Sequence, residues 1–262
     1  MTIGKAVILK GFKFPTAARA SMARVPITQF DQDLARTAGR NGLIHLFDPA
    51  DYDPTTGIVP DRASIGSLAC NNAKATAGLL ANGKPAIVPA SAGAGWQGMA
   101  TSFVKAESSF TVVIAYEATV ASSTGLATLV NSYAGDDADV NRLQIYRFSG
   151  APMAMAANGN DPSKGVFTTT HGVGIFVDAY SYDAVGNAAA VYDKSGSLAG
   201  STTAAFTGDP SNGYPWGFGG FGSSVWPDHI GRILIFDRAM HLAGNLPTLL
   251  DTLALLKADY AL

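Results

Sequence analysis

Phe110-Thr-Val-Val-Ile-Ala-Tyr-Glu-Ala118 is nearly continuous in apolar and β-branched residues. A strand with one wet face alternates polar and apolar residues, so a run without alternation reads as a strand covered on both faces. Working outward, Arg142-Leu-Gln-Ile-Tyr-Arg-Phe148 carries polar residues at alternate positions near its start. Gly172-Val-Gly-Ile-Phe-Val-Asp-Ala-Tyr180, Ala188-Ala-Ala-Val-Tyr192 and Ile230-Gly-Arg-Ile-Leu-Ile-Phe236 add further strands. Asp48-Pro49, Asp53-Pro54, Asn82-Gly83, Asn158-Gly159, Asp161-Pro162 and Asp209-Pro210 punctuate the chain with turn signals. Short apolar runs separated by such turns predict an all-β protein, an antiparallel two-sheet β-sandwich.

The two ends read differently. Leu246, Leu249, Leu250, Leu253 and Leu256 recur at helical spacing behind Asn245, with Pro247 in the first turn. This predicts one C-terminal helix over 245–260, with Asn245 as its N-cap and a leucine face turned to the sandwich. Residues 3–14 are rich in β-formers and end at Pro15, as in an edge strand or a strand donated to a neighbour. Residues 16–40 are small and basic, with Arg19, Arg24, Arg36 and Arg40, and hold one candidate helical set in Ile27, Phe30 and Leu34. The expected organisation is a docking arm over 1–41 and a sandwich with its helix over 42–262.

The chain of 262 residues is 47% hydrophobic and 15% charged, with 29 Gly and 13 Pro, which suits a turn-rich globular protein and excludes a long helical rod. A net charge of −2 argues against a nucleic-acid-binding surface. The charge is uneven: residues 1–40 hold seven Lys/Arg against two Asp, and the remainder eleven against eighteen acidic residues. Cys70 is the single cysteine, so no intrachain disulfide forms. The N-terminus has no secretory apolar segment, and no apolar run reaches membrane-spanning length. Synthesis in the cytoplasm without membrane insertion is the expectation.

No Gly-x-Ser-x-Gly elbow is present, and His45, His171, His229 and His241 are too scattered for a zinc motif. No catalytic residue and no cofactor is assigned. Asp137, Asp139 and Asn141 begin a calcium-loop pattern, but Arg142 stands where such a loop wants Gly and Phe148 where it wants an acid. A solvated acidic turn is the preferred reading. Sugar binding asks for aromatic faces beside amides or carboxylates. Tyr214, Trp216, Trp226, Asp228 and His229 form such a cluster in sequence, with Trp96 and Gln97 as a second. Trp216 reads as core, whereas Tyr214, Trp226, Asp228 and Trp96 are the candidate glycan contacts.

Several segments, in order, resemble the concanavalin A-like lectin/glucanase superfamily in its laminin-G-like form. Gly42-Leu-Ile-His-Leu-Phe-Asp48 resembles its first core strand, and Val59-Pro-Asp-Arg-Ala-Ser64 a frequent turn after it. Gly83-Lys-Pro-Ala-Ile-Val88, Trp216-Gly-Phe-Gly-Gly220 and Ile230-Gly-Arg-Ile-Leu-Ile-Phe-Asp-Arg-Ala239 resemble later strands, the last preceding a closing helix. The resemblance covers residues 42–262. It implies a lectin-like jelly-roll sandwich, concanavalin A-like in its connections; fold alone does not fix function.

Glucan-cleaving members of that superfamily present a Glu-x-Asp-x-Glu strand, because glycoside hydrolysis uses two carboxyl groups at a set separation. This chain has two glutamates, Glu107 and Glu117, ten residues apart. A non-enzymatic protein is therefore expected. The composition and basic arm resemble virion proteins of tailed bacteriophages: a tail-fibre, baseplate or capsid-decoration component, homo-oligomeric, docked to other virion proteins through its arm, with host surface polysaccharide as a further partner. The alternative reading is a carbohydrate-binding module or glycan-processing relative of the glucanases.

Overall fold

The architecture is given by a computed structural model. It describes residues 27–38, 41–64, 66–70, 75–89, 99–118, 126–132, 143–148, 154–157, 166–167, 172–203, 213–221, 224–226 and 228–262. The expected strand at 3–14 lies outside them, as do Trp96, Gln97, Asp137, Asp139, Asn141, Arg19, Arg24 and Arg40.

The elements run α1 (Gln29–Thr37), β1 (Leu43–Phe47), β2 (Ile58–Pro60), β3 (Ser67–Ala69), β4 (Ala75–Leu79), β5 (Pro85–Pro89) and β6 (Met99–Val104). Then come β7 (Phe110–Ala118), β8 (Leu126–Ser132), β9 (Leu143–Phe148), β10 (Ala154–Ala157), β11 (Val166–Phe167) and β12 (Gly174–Asp183). The chain closes with β13 (Ala188–Tyr192), β14 (Leu198–Thr202), β15 (Pro215–Phe218), β16 (Gly220–Phe221), β17 (Ser224–Val225), β18 (Ile230–Phe236) and α2 (Leu246–Asp259).

Two antiparallel sheets stack as predicted. The first has the order β14-β13-β12-β7-β18-β5-β4, and the second β11-β10-β9-β8-β15-β6-β3-β2. The outer edge of β18 is shared: Ile230 pairs with Ile87 of β5, and Ile233 to Phe236 pair with β1. Strand β7 is central and buried along all nine residues. Its alternate side chains serve two cores. Phe110, Val112, Ile114 and Tyr116 fill the space between the sheets with Ile145, Trp216 and Phe218. Val113 and Ala115 face the other way, against Leu249, Leu253 and Leu256 of α2, Tyr260 just after it, and Phe30 and Leu34 of α1. Two covered faces explain why this strand lacks polar alternation.

Helix α1 begins at a capping box. The Thr28 hydroxyl accepts from the Asp31 amide at 3.2 Å, and the Asp31 carboxylate accepts from the Thr28 amide at 2.7 Å. Its Phe30, Leu34 and Ala38 are buried, so residues 28–38 of the predicted arm pack into the body, and Arg36 pairs with Asp33 on the same helix. At α2, Asn245 corrects a detail. It stands at the N-cap, but its amide donates to Ala239 O at 3.0 Å and gives no side-chain cap.

Charge ties α1 to the β2–β3 turn and the end of α2 to the first sheet. Arg62 bonds Asp31 at 2.7 Å and Asp51 at 2.5 Å, and Arg232 reaches Asp48 at 2.8 Å and also Asp259. Burial would lower the Arg62 pKa, but these carboxylates hold it above its ordinary value. Gly231 is required here, because a Cβ would fall 2.6 Å from the Tyr260 hydroxyl that accepts from the Arg232 amide.

Candidate functional site

Of the predicted glycan contacts, the described ones, Tyr214, Trp226 and Asp228, are not brought together on the surface. Trp226 is fully buried: its ring meets Tyr116 edge-on at 5.4 Å, its Nε1 donates to Glu117 O at 3.3 Å, and the Arg147 guanidinium lies 5.2 Å over it. The short β16–β17 hairpin turns it inward, which local sequence flanked by Ser, Val and Pro does not announce. Asp228 is also buried, so both readings as exposed sugar contacts are corrected. Tyr214 is half-buried beside the start of β15, where its carbonyl accepts from the Lys105 amide at 2.7 Å. Trp216 is core, as expected, with the buried Lys105 ammonium 5.4 Å from its ring.

An open cleft of about 380 Å³ lies elsewhere, lined by Asn82, Val173, Ile175, Phe176, Lys194 and Leu262 among others. Two turns and a strand start build it. In the β4–β5 turn, Gly83 adopts φ +79°, the Asn82 Oδ1 accepts from the Lys84 amide, and its Nδ2 donates to Tyr260 O at 2.6 Å. In the β13–β14 turn, Asp193 Oδ1 accepts from the Ser195 and Ser197 amides and so presents Lys194. The Lys194 ammonium donates to Ile175 O at 3.4 Å and stands 5.8 Å over the half-buried Phe176 ring. The cleft thus joins an apolar aromatic wall to an ammonium with donors to spare.

Glu117 lies behind one wall. Its Oε1 accepts from the amide of Ala81, a cleft residue, at 3.3 Å, and its Oε2 is 3.2 Å from His229 Nδ1. A second carboxylate–imidazole pair sits in the β2–β3 region. His45 Nδ1 is 2.6 Å from Asp61 Oδ2, and the Ser64 hydroxyl donates to the same oxygen at 2.6 Å. Burial would raise the Asp61 pKa, but bonds from His45, Ser64 and the Leu46 and Ala63 amides outweigh it and hold it low. Ser64 lies on the carboxylate side of the ring, where Nδ1 is already engaged, so this is a turn lock and not an activated serine. Cys70 is buried, and burial pushes its thiol up to about 12, which leaves it unreactive. Among the described residues no group of three or more His, Cys, Asp or Glu is placed to hold a metal, and no helix is long and apolar enough to cross a membrane.

No protein-family model and no curated protein matches the chain. Solved structures do. A Trypanosoma rangeli sialidase trapped as a covalent intermediate with 2,3-difluorosialic acid aligns with a TM-score of 0.57 at 14% identity, over 83% of this chain and 33% of that one. The same sialidase in complex with sialic acid gives a TM-score of 0.55 at 14% identity and the same coverage. The shared fold is a two-sheet antiparallel β-sandwich. A CBM40 of a Ruminococcus gnavus IT-sialidase, bound to α2,3-sialyllactose, aligns at 15% identity over 55% of this chain and 83% of that one, with a TM-score of 0.40.

The expectation of a non-enzymatic protein is corrected by these neighbours, because the two structures named above that align over most of the chain are of a sialidase, an enzyme. The likeness is one of fold, and the chain spans about a third of the length of those sialidases. The sites missed by sequence reasoning, Asn82, Phe176 and Lys194, come from three distant segments of ordinary composition.

Proposed function

We propose that the chain is a carbohydrate-binding β-sandwich of the kind associated with glycan-processing enzymes, and that its ligand sits in the Asn82–Phe176–Lys194 cleft. The observation that carries the reading is the meeting of a half-buried aromatic ring, an ammonium and an amide in one open depression. Sugar recognition uses that combination: C–H faces of the ring lie on apolar surface while hydroxyl or acidic groups take the donors. The similar structures that carry sialic acid and 2,3-difluorosialic acid lend support through shared fold and make sialylated glycans the first to test. The virion assignment drawn from composition and the basic arm has no counterpart among the structures named above, and the carbohydrate reading replaces it.

A glycan array on the purified chain, followed by calorimetry on the best ligand, tests this. The reading expects a defined glycan set whose binding falls at least about tenfold in Lys194→Ala, the loss of one charge-assisted contact. Absence of binding to every glycan, or binding unchanged by Lys194→Ala, overturns it.

A further inference from the structure

Two carboxylates in this fold meet an imidazole, and they are equipped differently. Asp61 accepts from the Ser64 hydroxyl and from the Leu46 and Ala63 amides besides facing His45, so its charge is met whether or not that ring carries a second proton. Glu117 has fewer donors. Its side chain is 7% exposed, takes one amide bond, from Ala81, and otherwise faces Nδ1 of His229 at 3.2 Å. That nitrogen is buried and makes no hydrogen bond among the described residues, whereas the ring as a whole is 29% exposed and within reach of solvent. A buried carboxylate with one amide donor is poorly compensated until a cation stands beside it, and protonation of His229 supplies one.

The pair is placed to act on the cleft. Ala81 and Asn82 line one wall, and the amide that Glu117 holds is that of Ala81. Glu117 also stands directly opposite Ile175 in the β7–β12 ladder, and Ile175 O takes the Lys194 ammonium. The imidazole is held in turn: the Glu117 amide donates to His229 O at 2.9 Å, and Gly78 of β4 lies against the ring, where a Cβ would fall 3.2 Å from Cδ2. Among the described residues, the charged groups carried by the neighbouring segments are Lys84, which pairs with Asp259 at 3.3 Å, Lys194, which stands over Phe176, and Asp228, which precedes His229 in the chain and is buried.

We propose that Glu117 and His229 form a proton-operated brace for the Ala81–Asn82 wall of the cleft. When the imidazole takes a proton from solvent, an imidazolium faces the carboxylate; Glu117 is held, the Ala81 amide is held with it, and the negative charge behind the wall is neutralised. When that proton leaves, the carboxylate loses its counterion and the wall loosens. Imidazole side chains change charge between about pH 5 and about pH 8, so the brace tightens as pH falls through that interval. The consequence for a ligand rests on the carbohydrate reading of the cleft: a sugar bearing an acidic or hydroxyl group at Lys194 binds more tightly at the lower pH.

Two-dimensional NMR of the full chain without ligand tests the brace. The Ala81 amide resonance should move with pH at the same midpoint as the His229 ring, and the movement should vanish in His229→Gln and in Glu117→Gln. Amides from Thr111 to Val113 should keep their positions in both variants, which shows that they fold. An Ala81 amide that does not follow the His229 ring in the unsubstituted chain, or that keeps its inflection in His229→Gln, overturns the proposal. Calorimetry with the glycan selected by the array separates this outcome from the fate of the carbohydrate reading. Affinity at least about fivefold higher at about pH 6 than at about pH 8, with the difference lost in His229→Gln, is the expected result; equal affinity at the two pH values in the unsubstituted chain overturns the brace's control of the site. Coupled titration of Ala81 and His229 with no glycan bound supports the brace and strikes the carbohydrate reading instead.

Discussion

The two cores bury charge in opposite ways. On the helix face, Arg62 and Arg232 sit among Asp31, Asp48, Asp51 and Asp259, each cation engaged by carboxylates from different elements. Between the sheets, Lys105 lies 4.7 Å over Phe110, Arg147 lies 5.2 Å over Trp226, and the Asp178 carboxylate accepts from the Tyr116 and Tyr180 hydroxyls. Burial, with Asp178 beside them, pushes both phenols well above their ordinary pKa, so they stay protonated as donors. Where helices and turns meet the sheet, several elements bring carboxylates to one arginine. Between the sheets, aromatic faces and phenolic hydroxyls are among the groups that meet the buried charges, and the Lys105 ammonium also donates to Glu107 O.

Substitutions can break this comparison. Trp226→Ala should cost the most, about 3–5 kcal/mol in chemical denaturation, because a fully buried ring is lost and Arg147 loses its aromatic cover. That outcome also separates a core role from a glycan contact; a stable Trp226→Ala protein with weakened sugar binding would restore the surface reading. Arg62→Ala should follow at about 3 kcal/mol, leaving Asp31 and Asp51 without their shared cation. Its loss should loosen α1 first, seen as faster amide exchange over Gln29–Thr37 than over β7. Asp178→Asn should cost about 1–3 kcal/mol, since an amide oxygen is a weaker acceptor for two buried phenols.

The pH dependence sharpens the same contrast at a turn. Asp61 has a folded pKa below its unfolded value, so its contribution is fully present above the unfolded pKa and is lost as pH falls through the folded one. Asp61→Asn should therefore flatten the acid side of a stability–pH curve and leave its shape above neutrality unchanged. The smallest effect belongs to the cleft. Lys194→Ala should change stability by no more than about 0.5 kcal/mol while weakening glycan binding at least about tenfold.

Much of the sandwich is legible in sequence because the strands carry their burial in their composition. The uninterrupted apolarity of Phe110–Ala118 reports two covered faces, and the leucine spacing after Asn245 reports α2. Other features were set by tertiary context. Phe30 and Leu34 mark a helical face, but only the folded chain shows that α2 and Arg232 receive it. Trp226 has loop-like neighbours yet is turned into the core by a two-residue hairpin. Lys105 is a charged residue in a fully buried position, which local patterning assigns to the surface. The cleft was the least legible, because Asn82, Phe176 and Lys194 are individually unremarkable and meet only where two hairpin turns approach the start of β12.

A crystal structure of the chain bound to an oligosaccharide selected from the array tests the account most directly. The account predicts the sugar between the β4–β5 and β13–β14 turns, with a ring face against Phe176 and a hydroxyl or acid group within hydrogen-bond distance of Lys194 Nζ. Sugar seated instead at Tyr214, or on any surface remote from Asn82 and Lys194, would contradict it.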